Sequence, residues 1–141
     1  IERIADMALP KLPLAIFTKS KQLISGEWAN AITNLLTSSK TGITATAGGT
    51  AVTSVQLNDS YNEITTVATA NDGVVLPPAK AGLSIGVLNS DAADSLRVFG
   101  NGADTIKTGA GAAAAFSDLA AVTGALFVCF KDGLWIRFTS A

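Results

Sequence analysis

The segment Ala125-Leu126-Phe127-Val128-Cys129-Phe130-Lys131-Asp132-Gly133-Leu134-Trp135-Ile136-Arg137-Phe138-Thr139 carries the most informative local pattern in the chain. Two runs of large apolar residues flank Asp132-Gly133, a dipeptide suited to a tight turn between antiparallel strands. Two registers are open. A two-residue loop puts Phe127, Cys129, Leu134, Ile136 and Phe138 on one face, with Leu126, Val128, Phe130, Trp135 and Arg137 on the other. A three-residue loop beginning at Lys131 groups Leu126, Val128, Phe130, Leu134, Ile136 and Phe138 against Phe127, Cys129, Trp135 and Arg137. Either way both faces are apolar. An antiparallel sheet ordinarily shows water one polar face, so this hairpin predicts cover on two sides: once by its own core, and once by the N-terminal arm, a helix or another subunit.

Working back from the hairpin, everything after Gly42 reads as β structure, with short Thr-, Val- and Ile-rich runs separated by turn residues every 8–12 positions. The candidates are 43–47, 51–57, 63–68, 74–76, 83–88, 96–99, 105–107, 113–117, 125–130 and 134–139, of which eight or nine are expected to form strands. Breaks fall at Gly48-Gly49, Asn58-Asp59-Ser60, Asn71-Asp72-Gly73, Pro77-Pro78, Asn89-Ser90-Asp91 and Gly100-Asn101-Gly102. No helical run separates the strands, which predicts a mainly β fold, an antiparallel β-sandwich or jelly roll over residues 41–141. The alanine-rich stretch 109–121 is ambiguous between a strand and a short helix.

The front of the chain differs. Pro10 and Pro13 lie among Leu9, Leu12, Leu14, Ile16 and Phe17, which disfavours a continuous helix and predicts an extended arm over residues 1–24. Trp28, Ile32, Leu35 and Leu36 follow at i, i+4, i+7 and i+8, one face of a short amphipathic helix over residues 25–40, with Ser25 as its cap.

Of the 141 residues 48% are hydrophobic and 15% charged, well below the usual ~25%. The chain has no histidine, which rules out Ser-His-Asp and Cys-His catalysis and His-based zinc sites. Cys129, the single cysteine, reads as a small buried hydrophobe. A formal net charge of −1 gives no electrostatic footprint for nucleic acid. The longest apolar stretch of the arm, Leu12 to Phe17, contains Pro13 and is too short for a membrane span or signal core, so a chain without a targeting segment is expected.

The local motifs resolve into ordinary turns. Gly109-Ala110-Gly111-Ala112-Ala113-Ala114 matches a loose dinucleotide pattern, but no βαβ unit surrounds it. Gly100-Asn101-Gly102-Ala103-Asp104 copies most of one calcium β-roll repeat, and nothing repeats around it. The pairs Asp91 with Asp94 and Asp104 with Asp118 sit among turn residues, where aspartate bonds local amides. No cofactor, metal site or catalytic residue is expected. The anchors that fit a protein interface are Leu12, Leu14, Ile16, Phe17, Trp28 and Trp135, with Arg137 as a polar contact.

Taken together, Gly26-Glu27-Trp28-Ala29-Asn30-Ala31-Ile32, Gly42-Ile43-Thr44-Ala45, Ala70-Asn71-Asp72-Gly73-Val74-Val75-Leu76-Pro77, Gly102-Ala103-Asp104-Thr105-Ile106 and the run Phe127 to Trp135 resemble the small β-rich virion proteins of tailed bacteriophages. The likeness is to capsid cement, or decoration, proteins of the jelly-roll type, such as that of a Bordetella phage. It implies a non-enzymatic structural protein on the outer surface of the virion, bound to the major capsid protein and bridging neighbouring capsomers. It also implies a homo-oligomer, a dimer favoured over a trimer, with no direct nucleic-acid or membrane contact. A phage fibre, collar or adhesin module that binds a host glycan is the alternative.

Overall fold

A computed structural model describes residues 38–139. Among them lie ten strands and no helix: β1 (Ser39–Thr44), β2 (Val55–Gln56), β3 (Tyr61–Thr66), β4 (Gly73–Val75), β5 (Ser84–Asn89), β6 (Leu96–Phe99), β7 (Thr105–Thr108), β8 (Phe116–Leu119), β9 (Thr123–Lys131) and β10 (Leu134–Thr139). Each of the ten candidate segments contains or overlaps one of these strands. The arm and most of the expected helix lie outside the described residues. Ser39 and Lys40, expected at the C-terminal end of the helix, instead open β1, and the carbonyl of Ser38 just before it accepts the Tyr61 amide at 3.1 Å. The alanine-rich stretch resolves as β8, a strand that pairs with β6.

The mainly β expectation holds, but the antiparallel one needs correcting. The strands form a six-stranded sheet, β1-β3-β5-β9-β10-β7, and a four-stranded sheet, β2-β4-β6-β8. Parallel pairing joins β1 to β3, β3 to β5, β7 to β10, β2 to β4 and β4 to β6. Only β5–β9, β9–β10 and β6–β8 are antiparallel. The physical reason lies in the turns. From β1 to β9 each break carries the chain across to the other sheet instead of back beside the strand just made. Through β6, strands two apart in sequence therefore become parallel neighbours, and no helix is needed for the crossover.

Both sheets contribute to one core, with Ile43, Ile64, Val87, Phe127 and Trp135 from the larger sheet and Val74, Leu96, Val98 and Leu119 from the smaller. The hairpin reconciles its two candidate registers. Leu134 pairs with Lys131 around the two-residue turn Asp132-Gly133, and Trp135 then pairs with Cys129, so Phe130 is the extra residue of a bulge. Past that bulge the faces are those of the longer loop. Phe127, Cys129 and Trp135 point into the core, and Leu126, Phe130 and Phe138 point out.

Candidate functional site

The outward side of the six-stranded sheet can be assembled row by row from its register. One row runs Glu63, Leu88, Gly124. The next runs Tyr61, Gly86, Leu126, Phe138, and the third runs Ser84, Val128, Ile136, Lys107. Phe130 and the Leu134–Thr105 pair close the far end. The large apolar members remain open to solvent: Phe130 is 69% exposed, Tyr61 59%, Phe138 50%, Leu88 43% and Leu126 40%. Strand alternation produces this face: Leu126 lies between the buried Ala125 and Phe127, Leu88 between the buried Val87 and Asn89, and Phe130 beside the buried Cys129. Such a face costs free energy in water, roughly 25 cal/mol for each Å² left uncovered.

A groove of about 610 Å³ runs along the β3 side, lined by Tyr61, Glu63, Gly86, Leu88 and Leu126, with Lys40 at its rim on β1. Gly86 shapes its floor. A Cβ there would come 2.5 Å from Tyr61 Cδ1, so the tyrosine ring lies across the sheet where any other residue would displace it. Charge is confined to the margins: Glu63 on β3 at one side, Lys107 on β7 at the other, Lys40 on the outermost strand and Lys131 at the hairpin turn.

Several of the aspartates accept backbone amides. Asp91 accepts the Ala93 and Asp94 amides at 2.9 and 3.0 Å and reaches across to the Val67 amide at 3.1 Å. Asp72, buried, accepts Thr69 Oγ1 at 2.8 Å, the Thr69 amide at 3.0 Å and the Gly48 amide at 3.2 Å. Asp104 accepts the Ala79 amide at 2.7 Å, and Asp132 the Ala81 amide at 2.9 Å. Each aspartate thus ties its own turn to a turn of another crossover. Those bonds hold Asp72, through Thr69 first, and Asp91, through the Ala93 amide first, below the usual carboxylate range. Asp132 is held down likewise, by the Ala81 amide and then by Lys80. Asp118 forms a two-pronged pair with Arg97 at 2.7 and 3.0 Å, and the guanidinium lies 3.9 Å over the Phe116 ring. Among the described residues no group of acidic and cysteine side chains is arranged to hold a metal ion.

Of the anchors expected from sequence, Leu12, Leu14, Ile16, Phe17 and Trp28 lie outside the described residues. Trp135 is not on a surface at all. It is fully buried, because the bulge at Phe130 aligns it with Cys129 on the core side. Arg137 shares that side and spans the gap to β8, donating through Nη1 to Ser117 Oγ and the Asp118 carbonyl, both at 2.6 Å. Burial pulls its guanidinium below the ordinary value, with the Asp118 charge opposing. Its Nη1 is thus engaged within the chain, and the residue as a whole is half-buried. Tyr61, Leu88, Phe130 and Phe138 are the exposed anchors that sequence reasoning did not single out. The signal for the last two was the hairpin with two apolar faces. Comparison with protein-family models, with curated proteins and with solved structures gives no match to this chain.

Proposed function

We propose that this chain is a structural protein of a phage virion, bound to the outside of the capsid, where it cements neighbouring major capsid protein subunits. The observation that carries the proposal is the uncovered apolar face of the larger sheet. A surface of that kind serves protein assembly. The resemblance of the sequence to capsid cement proteins supplies the class of partner. The two sheets over one core are read as a sandwich built largely from parallel crossovers, stiff enough to act as a strut between subunits. In this proposal residues 1–24 and the segment after them reach the capsid subunit, and the β domain supplies lateral contacts.

The test is reconstitution. Purified full-length chain is added to capsids that lack it, and binding, position and shell stability are read by electron microscopy and thermal release of DNA. Saturable binding on the outer surface, with a more heat-resistant shell, is expected. Removal of residues 1–20 should abolish binding and leave a folded β domain. No saturable binding, or binding by the truncated chain equal to that of the intact one, would refute the cementing mechanism. The glycan-binding alternative has one feature in its favour, the exposed Tyr61 ring beside Glu63 in the groove, and a glycan array probed with the same protein decides it.

A further inference from the structure

We propose that the outer face of the six-stranded sheet is a two-fold interface, closed by the same face of a second copy of this chain. The inference deepens the reading of this face as a protein interface and names its occupant. Five adjacent strands, β3-β5-β9-β10-β7, carry the face, and β9 is the middle one. At about 4.8 Å between strands and about 3.4 Å per residue, the rows cover roughly 19 by 20 Å of backbone. With side-chain reach at the edges, that gives a footprint of about 600 Å² per copy. Two such footprints bury about 1,200 Å², the lower bound for a specific, stable interface.

The charges select the partner and the axis. Glu63 lies in the first row on one outer strand, and Lys107 in the third row on the opposite outer strand. Midway between them, on the central strand and in the middle row, is Leu126. A two-fold axis lying in the face, passing over Leu126 at right angles to the Glu63–Lys107 line, exchanges the two charged positions. Glu63 of each copy then meets the partner's Lys107, Leu126 meets its own counterpart, and the Leu88, Val128, Ile136 and Phe138 side chains fill the space between. An axis running straight across the strands would instead leave each charged margin over the same margin of its copy, with no opposite charge opposed. Lys40, on β1, sits outside this five-strand platform, and Lys131 is the last residue of β9, at the hairpin end of the face. The face is complementary to itself in charge, which is what an isologous contact requires.

Sedimentation velocity of the purified full-length chain, without capsids, tests this. A dimer is expected. Leu126→Glu, at a position already 40% exposed and hence tolerant of the change in the free chain, should weaken association at least tenfold. Glu63→Lys and Lys107→Glu should each weaken it several-fold, and the two together should restore it. Chemical coupling keeps the test independent of folding losses. Glu63→Cys protein mixed with Lys107→Cys protein should be joined by a short bis-maleimide, whereas neither variant should couple efficiently alone. A monomer at every concentration means another occupant, a capsid subunit included, and overturns the proposal. So do a trimer, a dimer indifferent to Leu126→Glu, or a charge-swapped double variant no better than the singles. A chain that dimerises but ignores capsids sinks only the cementing function; a monomer that binds capsids sinks only this interface.

Discussion

Asn89 offers the sharpest test of how the crossovers are held. It ends β5 with no exposed surface, and its Nδ2 faces three carbonyls: Asp94 at 2.9 Å, Ala120 at 3.1 Å and Leu119 at 3.2 Å. Its Oδ1 accepts the Asp91 amide at 3.2 Å. One amide thereby fastens the turn after β5 to the turn after β8. Replacement by alanine strands the Leu119 carbonyl, which is buried at that contact, for about 2 kcal/mol, and removes a net ~1 kcal/mol from the two more accessible carbonyls. A loss of about 3 kcal/mol is expected. Asn89→Asp keeps the shape and reverses the logic: an ionised carboxylate has no proton to donate and faces three carbonyl oxygens, so at pH 7 the loss should reach about 4 kcal/mol or more. Both burial and those oxygens raise the carboxyl's folded pKa above its unfolded value. The deficit of the aspartate variant is therefore full above that folded pKa and shrinks as pH falls through it. Urea unfolding followed by tryptophan fluorescence at pH 7 and pH 5 measures both. An aspartate variant within 1 kcal/mol of the parent at pH 7, or a deficit that does not narrow at pH 5, would refute this account of Asn89.

Three further outcomes are expected. Gly100→Ala should destabilise by about 2 kcal/mol or more in the same unfolding assay, because its Cβ would strike the Asp104 carbonyl, which is backbone and cannot swing aside. Val122→Asn should stabilise by about 1 kcal/mol and raise Tm by several degrees, since Val122 is held at φ +56° with its side chain 68% exposed, a conformation that asparagine tolerates far better. The parent chain should be flat in stability between pH 5 and 7 and lose stability below about pH 4. Asp72, Asp91 and Asp132 have folded pKa values held below their unfolded ones. Their contribution is therefore present above the unfolded pKa and lost as pH falls through the folded one. Thermal melts across pH 2–7 would show it, and a stability curve that stays level to pH 2 would count against those contacts.

The positions of the strands were legible because turn chemistry is local: Asn71-Asp72-Gly73 and Gly100-Asn101-Gly102 announce a reversal whatever lies beyond it. What the chain does after the reversal was not legible. The same residues serve a hairpin, which returns beside the strand just made, and an arc, which delivers the next strand to the other sheet. Only pairing across distant segments, such as Ile64 with Asn89 or Val74 with Val98, separates the two outcomes, and no sequence repeat marks the recurrence. Trp135 was misplaced for a related reason. One bulged residue, Phe130, exchanges the faces of everything that follows it, and bulges leave little trace in composition. The hairpin's two apolar faces were readable, but the wider platform was not. Tyr61 and Leu88 belong to the strands Tyr-Asn-Glu-Ile-Thr-Thr and Ser-Ile-Gly-Val-Leu-Asn and join Leu126 on one face only through register.

The place of the hairpin in the sheet explains why its second apolar face matters. Had the crossovers continued undisturbed, β7 would have followed β5, and the two most apolar strands would have hung on an edge. Instead β9 and β10 are inserted between β5 and β7, and β9 alone runs against the other five strands. Leu126, Val128, Phe130, Ile136 and Phe138 are therefore mounted on strands hydrogen-bonded on both sides, with charged residues displaced to the margins. Side chains on a backbone fixed in this way lose little further freedom when a partner covers them, so more of the free energy of burying that face appears as affinity. An apolar surface at the rigid middle of a sheet is thus better suited to a permanent contact than the same residues on a flexible edge, and that is the property a shell-bracing protein needs.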